Sequence, residues 1–419
     1  MSLIYTSDRK YTSVFRWGIL GYKTFGTTWA NIGTRDASSP PQLHVFDDDF
    51  KYVARTNDYE YFSWTYNWYY ADTFELKINR YKLNVSEFVA GGFIAFQDEA
   101  AQWHVGIIQK ITKPLSEEGK SSETWTFIGQ SYESIFQNRI CMWMTNVATY
   151  GGYASYSACT TNNMRQMVWH EAYSPTDVKR RYPALHMDVS ANLGTTFYYK
   201  ARFEKLSTAL EKCIRFDPSF SYYLDWQGYG DGSANRENFM FKIRSASNKK
   251  KDVKLAAGFG NVTGYDYQYS EQDMKTVVYL GGAGSGDTRD ISENYWSWGA
   301  EPTARDRIEV FQDATDCTTD AEQRSRAIQL LNDMSSNQTC TFKFSPYTSD
   351  YVFLYDFKVG DDITVQIDNV VTMYARLISA TETYSESGRT VELTVGKEWA
   401  DLKGVINQVY DQVKRSTLV

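Results

Sequence analysis

The amino-acid sequence predicts a mainly β fold that carries an α+β insertion, and three observations support this assignment. Aromatic residues make up 16% of the 419 residues, and such large rings suit half-buried pleated surfaces better than helical cores. Short segments of alternating apolar and polar residues lie on both sides of a central region with helical spacing. Two of the β-rich segments also share one pattern of turns and strands. A chain of this length is expected to form about two to four compact units.

The first β-rich unit is predicted over residues 41–140, after an N-terminal segment over residues 1–40. Its alternation is clearest at residues 74–78, where Phe74, Leu76 and Ile78 share one side of a strand. Further apolar runs follow at residues 93–96, 105–111 and 125–128. Clusters of Gly, Ser, Glu and Lys separate these runs, which is typical of a small antiparallel β-barrel.

The central region, residues 141–255, is predicted to be a mixed α/β unit. Apolar residues follow helical spacing in two segments of it, namely Met164, Met167, Val168 and Ala172, and then Phe203, Leu206, Leu210, Cys213 and Ile214. Short strands are expected around residues 221–226 and 239–243. The unit therefore separates two β-rich regions instead of continuing either of them.

A second β-barrel is predicted over residues 256–400, with strands at residues 352–357, 363–367, 374–383 and 390–395. It contains one helix near residues 320–335, which begins at a capping box formed by Thr319 and Glu322. Residues 401–419 are predicted to form a C-terminal helix. Its apolar face, which we expect to contact a partner, consists of Leu402, Val405, Ile406, Val409 and Val413.

Residues 88–129 and 357–396 share an internal repeat. Both segments contain a glycine turn, a strand, a longer curved strand, an acidic-glycine-basic hairpin and a final strand, in the same order. Two β-meanders can also resemble each other by chance, and this alternative stays open. If the repeat is a duplicated barrel, three copies of the chain present six similar barrels, so a trimer can dock onto a hexameric ring.

The overall charge and the cysteine content exclude several classes of protein. The net charge is −7 and the isoelectric point is near 5.4, which argues against binding nucleic acid by neutralising its phosphates. The five cysteines are widely spaced and have no metal-binding pattern, which is typical of buried thiols in a protein made in a reducing cytosol. No signal peptide and no run of about 18 apolar residues is evident. We expect no metal, no cofactor and no membrane span.

Enzyme motifs are incomplete in this sequence. His170 and Glu171 are followed by Ser174 at the position where a zinc metalloprotease needs its second histidine. The Gly281–Gly286 loop lacks the Lys-Ser or Lys-Thr of a phosphate-binding loop. Carboxylates for glycoside hydrolysis or for a cation site are available at Asp47–Asp49 and at Asp225 with Asp231, but solvated loops are the simpler interpretation. We therefore expect a non-enzymatic protein.

The aromatic segment over residues 61–70 allows two functional interpretations. Its Trp64, Trp68 and Tyr69 would suit a subunit interface or a core, because large rings are enriched there. Exposed rings of this kind could instead stack on sugars at a cell surface. The sequence thus leaves a carbohydrate-binding or cell-wall-degrading protein as the alternative to a structural role.

Parts of both β-rich regions resemble a known family. The resemblance lies in the run Asn261–Asp287, which ends in the Gly-rich Leu280–Asp287, in Val359–Ile363, Ala375–Glu382 and Val391–Gly396, and in Phe74–Ile78, Gly106–Ile108 and Gly129–Ile140 of the first region. These segments are similar to the ReqiPepy6 Gp37-like siphovirus tail proteins, over about residues 70–140 and 255–400. The shared motifs are turn and strand patterns and carry no catalytic signature.

The resemblance implies a tail-tip hub related to the T4-type baseplate hub, placed in the virion after synthesis in the host cytoplasm. Such a hub is a homotrimer whose pseudo-sixfold ring joins the hexameric tail tube or distal tail ring to the threefold tip. Its expected partners are the distal tail or tail tube ring, the tape measure protein and the tail fibre, spike or tip proteins. The tape measure protein and DNA would pass through its channel without specific binding.

Overall fold

The computed structural model describes residues 40–82, 84–114, 123–142, 154–228, 237–295, 300–367 and 372–396. In these residues the dominant element is a sheet of 13 strands, nearly all of which pair antiparallel. Strands from both ends of the described chain contribute to this sheet. The mainly β fold class predicted from the sequence is therefore confirmed.

The first half of the sheet is built by the strands that come first in the described chain. They are β1 (Leu43–Phe46), β2 (Tyr52–Thr56), β3 (Tyr61–Asn67), β4 (Thr73–Asn79), β5 (Phe93–Gln97), β6 (Trp103–Thr112) and β7 (Thr124–Ser131). Their order in the sheet is β3-β4-β7-β6-β5-β1-β2. In β4, Phe74, Leu76 and Ile78 are buried and the residues between them are partly exposed, so the predicted alternation does mark the face that packs on the core.

The middle unit contains both helices and strands. Its elements are β8 (Ala154–Cys159), α1 (Thr160–Val168), β9 (Leu185–Met187), β10 (Thr196–Ala201), α2 (Leu206–Phe216), β11 (Phe220–Trp226) and β12 (Phe239–Ser245). Strand β8 pairs with β10, and β11 with β12, which also pairs with β9. Helix α1 continues as a π-helical turn over Trp169–Tyr173. Met164, Met167, Leu210 and Ile214 are buried, as their helical spacing predicts.

The second half of the sheet is interrupted by an insertion of its own. The elements are β13 (Lys254–Ala256), β14 (Val262–Ser270), β15 (Val277–Gly281), β16 (Ile291–Tyr295), β17 (Glu309–Asp313), α3 (Asp320–Asp333), β18 (Asn337–Phe344), β19 (Asp362–Gln366), β20 (Thr372–Ser385) and β21 (Gly388–Gly396). Strands β15, β16 and β17 form a separate small sheet. Helix α3 covers this small sheet with a core of its own, in which Val278, Leu280, Ala327 and Leu331 are buried.

Helix α3 lies where the sequence predicts it, but only half of its capping box is formed. The Thr319 hydroxyl accepts a hydrogen bond from the Glu322 N–H at 3.3 Å. The Glu322 carboxylate accepts from the N–H of Thr318 at 2.7 Å, one residue before the expected donor. Short 3₁₀ helices complete the described structure, at Val85–Glu87, Tyr132–Asn138, Val178–Arg180, Ala257–Phe259, Gly286–Thr288 and Ala304–Asp306.

Two sequence predictions about the β structure are corrected. The order of pairing runs from β14 at one end to β2 at the other, so the described strands form one open sheet and not two closed barrels. The strand predicted at residues 352–357 is a turn, in which the Leu354 N–H donates to the Phe357 carbonyl at 2.8 Å. Leu354 has a φ of 73°, which is incompatible with an extended strand.

Candidate assembly interface

A glycine turn with one set of hydrogen bonds occurs in each half of the sheet. In the first half, the Gly91 N–H donates to the Ile108 carbonyl at 2.8 Å, and the Ile108 N–H donates to the carbonyl of the residue after Gly91. In the second half, the Gly360 N–H donates to the Leu377 carbonyl, also at 2.8 Å, and the Leu377 N–H donates to the carbonyl of the residue after Gly360. Both glycines have positive φ, 83° and 101°, which a residue without a Cβ adopts readily.

A β-bulge lies at the same point after each turn. The register between β6 and β7 shifts between Ile108 and Lys110. The register between β20 and β21 shifts between Leu377 and Ser379. In both halves the residue bonded to the turn glycine therefore comes directly before the bulge, which makes Ile108 equivalent to Leu377 and Lys110 equivalent to Ser379.

The order of strands also agrees between the halves. The first half contains the path β3-β4-β7-β6-β5, and the second half contains β14-β18-β21-β20-β19, with antiparallel neighbours throughout. The halves differ at the next position, because β1 pairs antiparallel with β5 whereas β13 pairs parallel with β19. The repeat seen in the sequence thus corresponds to one strand topology that is present twice.

The two halves meet at a junction where β3 pairs antiparallel with β20. Residues 379–385 lie opposite residues 61–67 in an uninterrupted register. At its centre the hydroxyl oxygens of Thr65 and Thr381 are 2.9 Å apart. Tyr66 in this junction is only 4% exposed. Because the chain supplies both strands, the junction shows how one half of the sheet attaches to the other half.

Trp68 connects the junction to the middle unit. Its indole Nε1 donates to the Pro218 carbonyl at 3.0 Å, and its own carbonyl accepts from the Ser221 hydroxyl at 2.6 Å. The ring packs against the backbone of Gly360, where an added Cβ would lie 1.9 Å from the nearest ring carbon. The indole is 1% exposed. One side chain therefore joins both sheet halves and the middle unit.

A buried ion cluster also links the halves. Arg389, which is 2% exposed at its side chain, lies 2.6 Å from the Glu382 carboxylate through its Nε. It also pairs with Glu99, which belongs to the turn between β5 and β6 of the first half. The Tyr384 hydroxyl donates to the Glu382 carboxylate. Since a buried charge is costly unless it is paired, this cluster depends on the two halves staying together.

Asp72 closes the turn between β3 and β4 beside a partly open cavity of about 100 Å³. Its carboxylate accepts from the Trp64 indole N–H at 3.0 Å and from the Asn67 N–H at 2.8 Å. Burial, and then the neighbouring charge of Glu133, raise the pKa of Asp72 to about 6, although Arg244 acts in the opposite direction. This carboxyl group can therefore hold a proton at mildly acidic pH.

His104 lies on the wall of the same cavity. Its Nε2 is 2.8 Å from the Asp98 carboxylate. Burial alone would lower the pKa of His104, but the hydrogen bond and the charge of Asp98 outweigh that effect and raise it. Among the residues that the structure describes, no group of three His, Cys, Asp or Glu side chains is arranged to hold a metal ion. Of the two groups, Asp72 stabilises the β3–β4 turn, whereas His104 pairs with Asp98 in the turn between β5 and β6.

The aromatic residues singled out in the sequence have different environments. Trp64 and Trp68 are buried within the chain, so their rings are part of its core, which is one of the two environments that the sequence predicts for them. Tyr69 is partly buried and packs at the edge of the core, and its role at an interface stays a prediction. The predicted C-terminal contact face, which consists of Leu402, Val405, Ile406, Val409 and Val413, lies outside the described residues.

Several of the carboxylates considered for catalysis have structural partners. Asp47 accepts hydrogen bonds from the N–H groups of Asp49 and Lys51 in a turn. Asp225 pairs with Lys242 at 2.6 Å, and Asp231 lies outside the described residues. Glu171 is buried and pairs with Arg180 at 2.8 Å. Sequence reasoning missed the Arg389 cluster and the β3–β20 junction, because their members are separated by about 300 positions.

A protein-family model matches most of the chain. The family described as Siphovirus ReqiPepy6 Gp37-like protein matches residues 42–397. This range covers most of the chain and includes both sheet halves, the middle unit and the insertion. No curated protein matches the chain in sequence.

Solved structures with a similar fold come from prophages and bacteria. The prophage tail protein gp18 from Listeria monocytogenes EGD-e has a TM-score of 0.53 at 11% identity, with 89% of this chain and 99% of that chain covered. The 43 kDa tail protein of prophage MuSo2 from Shewanella oneidensis has a TM-score of 0.51 at 11% identity, with coverage of 85% and 97%. The tail protein from Neisseria meningitidis MC58 has a TM-score of 0.50 at 13% identity, with coverage of 86% and 97%. At these identities the likeness is one of fold.

Proposed function

We propose that this chain, which belongs to the Siphovirus ReqiPepy6 Gp37-like family, is a non-enzymatic structural subunit of a phage tail tip and assembles as a homotrimeric baseplate hub. The observation that carries the proposal is the strand topology that occurs twice in one chain. Three such chains supply six similar sheet halves around one axis. A threefold assembly can then match a sixfold ring without six identical chains.

In this proposal the ring joins the hexameric tail tube or distal tail protein to the threefold tip. Its other contacts are tail fibre, spike or tip proteins on the far side. The tape measure protein and then DNA pass through the central channel. The net charge of −7 supports passage without specific binding, because a mildly acidic protein does not neutralise phosphates.

The alternative, a carbohydrate-binding or cell-wall-degrading tail protein, has less support. Trp64 and Trp68, which would have to stack on sugar rings, are buried in the core. Asp225 is paired with Lys242, which leaves it poorly placed as one of two free carboxylates. No observation on the described residues favours this alternative over the hub.

The predicted C-terminal helix is part of the proposal as a partner contact. Its apolar residues would pack on a neighbouring subunit or on a tip protein. Ending the chain at Gly396 should leave the sheet folded and weaken particle assembly. Unchanged assembly and infectivity of phage carrying the shortened chain would remove the helix from the proposal.

Particle mass and shape test the function most directly. We expect the purified full-length chain to form a trimer by light scattering at micromolar concentration, and a threefold ring with a central hole by electron microscopy. A protein that stays monomeric at all accessible concentrations, and also fails to join isolated tail tubes, would contradict the proposal.

A further inference from the structure

We infer that β6 of one copy pairs antiparallel with β14 of a second copy of this chain, so that the sheet continues from subunit to subunit. The inference rests on the proposed ring, and it adds the two strands and the register that join neighbouring subunits. The β3–β20 junction, which already joins two halves inside one chain, serves as the template.

Strand β14 provides one open edge. Among the described strands it pairs with β18 alone and ends the 13-stranded sheet. Its equivalent in the first half, β3, is paired on both sides, with β4 and β20. Tyr265 and Tyr269 of β14 are both exposed. A long edge strand with exposed rings is a surface on which another strand can pair.

Strand β6 provides the other open edge. Residues 103–107 of this strand pair with β5, but residues 110–112, after the bulge, pair with β7 alone among the strands that the structure describes. In the second half, the equivalent part of β20 pairs with β21 on one side and with β3 on the other. Within the described part of one chain, β6 therefore has no strand in the position that β3 occupies beside β20.

The registers within the two halves fix which residues of β14 and β3 are equivalent. In the first half, Gly129 of β7 lies between Ile108 of β6, directly before the bulge, and Phe74 of β4. In the second half, Val395 of β21 lies in the same way between Leu377 of β20 and Cys340 of β18. Trp64 is the partner of Phe74, and Tyr267 is the partner of Cys340. Trp64 and Tyr267 are therefore equivalent positions.

Two residues further along each strand, Tyr66 of β3 is therefore equivalent to Tyr269 of β14. In the junction Tyr66 lies opposite Ala380, whose equivalent across the bulge is Ile111. If β6 and β14 of two copies pair in the register of the β3–β20 junction, Ile111 lies opposite Tyr269. Pairs of an aromatic and a β-branched residue of this kind stabilise antiparallel sheets. The neighbouring pairs are then Lys110 with Ser270 and Thr112 with Gln268.

Two further features of the sequence favour the pairing of β6 with β14. Thr112 occupies the position of Thr381, whose hydroxyl meets Thr65 in the junction. Residues 109–113 contain two lysines and no acidic residue, whereas residues 266–273 contain three acidic residues and no basic one. Opposite charges on the two edges favour this pairing and disfavour pairing of either edge with itself.

The two edges differ from each other, so the contact is head-to-tail. Contacts of this kind close into rings when the rotation between neighbours permits. A second copy of the chain is favoured over an unrelated strand because β3 and β20 of this chain already make the equivalent contact with each other. Within the trimer, β3–β20 and β6–β14 contacts would alternate around the axis.

Disulfide trapping in the full-length trimer tests the register. Opposite residues in an antiparallel pair have Cα atoms about 4.5–5.5 Å apart, a separation that a disulfide can span. We expect the Ile111→Cys/Tyr269→Cys double variant, in a Cys159→Ser background, to form a covalent trimer on oxidation. The Thr112→Cys/Gln268→Cys variant is a second in-register pair in case the first does not fold.

The matched control is the Ile111→Cys/Gln268→Cys variant, which is shifted by one residue and places the two thiols on opposite faces of the sheet. We expect at least a tenfold lower yield of cross-linked trimer from it. A trimer in which both in-register variants fail to cross-link, or in which the shifted pair cross-links equally well, would overturn the register and leave the proposed hub intact. A chain that forms no trimer before oxidation would instead contradict the proposed function, and the inference with it.

Discussion

Strands β3 and β14 occupy the same position in the two sheet halves, yet their environments are opposite. Strand β3 lies between two neighbours, and its Tyr66 is 4% exposed. Strand β14 has one neighbour among the described strands, and the equivalent Tyr269 is 55% exposed. The two strands carry the same kind of side chain at this position. The burial of a strand residue is therefore set by the strand beside it, and not by its own pattern alone.

A second difference lies in the connection after each strand. The turn from β3 to β4 spans residues 68–72, whereas the connection from β14 to β18 spans residues 271–336 and contains a small sheet, α3 and a separate core. A connection at the end of an edge strand can be long without disturbing the sheet, because the connection is stabilised by a core of its own. The sheet halves thus keep one topology while their connections differ.

The largest expected effect comes from truncating the two equivalent tyrosines. Tyr66→Ala should lower the free energy of unfolding by about 3–5 kcal/mol, as is typical for a buried aromatic ring. Tyr269→Ala should change it by no more than about 0.5 kcal/mol, as for an exposed residue. Both are measured by chemical denaturation below the concentration at which the chain associates. Equal losses in the two variants would break the comparison between β3 and β14.

The equivalent turn glycines give the next largest difference. Gly360→Ala has two destabilising effects. A left-handed alanine is strained by about 1–2 kcal/mol, and the clash of its Cβ with the Trp68 ring adds about 1–3 kcal/mol, as is typical of overpacking. Gly91→Ala carries the strain alone, because its added Cβ would meet no described atom closer than 3.8 Å. Thermal unfolding should therefore show a lower melting temperature for Gly360→Ala than for Gly91→Ala.

Removing the buried cation tests how strongly the halves are joined. Arg389→Met should destabilise the chain by about 3 kcal/mol, because it leaves the buried Glu382 without its ionic partner. Lys82→Met is the control, since Lys82 and Asp58 form an exposed pair at 2.6 Å of the kind that contributes less than about 1 kcal/mol. Denaturation midpoints of the two variants measure the difference. Similar midpoints would mean that Arg389 does not hold the halves together.

The smallest expected effect is a dependence of stability on pH. The pKa of Asp72 is raised to about 6 in the folded chain, so between about pH 4 and 6 the folded chain binds a proton that the unfolded chain has released. The free energy of unfolding should therefore fall as the pH rises through this window, by on the order of 2 kcal/mol.

His104 adds to this trend, because its pKa is also raised in the folded chain and its stabilisation is lost as the pH rises through that value. The Asp72→Asn variant should lose the decline between pH 4 and 6 and keep the part at higher pH. Melting temperatures across the pH range, for this variant and for the unmodified chain, measure the difference. An unchanged slope in Asp72→Asn would assign the decline to other groups.

Alternation and turn residues predicted much of the local structure. Residues 74–78 form a strand with the expected buried face, and the helices predicted from spacing around Met164 and Leu210 are present. The glycine turns of the repeat could also be found, because positive φ restricts the choice of residue. Each of these signals depends on residues that are close together in the chain.

The long-range contacts could not be predicted. The sequence does not indicate that Trp64 and Trp68 would be covered by the rest of the chain, since a tryptophan suits an interface as well as a core. Alternation also predicted two barrels where the structure has one open sheet, because strand pairing between distant segments leaves no local signal. The partners of Arg389 were unpredictable for the same reason.

The enclosed indole of Trp68 has a mechanical consequence. Its hydrogen bond to Pro218 and its contact with Gly360 place one rigid ring between the middle unit and both parts of the sheet. A movement of the middle unit away from the sheet would have to break the hydrogen bond to Pro218 or shift this ring out of its contact with Gly360. The indole is 1% exposed, so such a movement would also open the core around it.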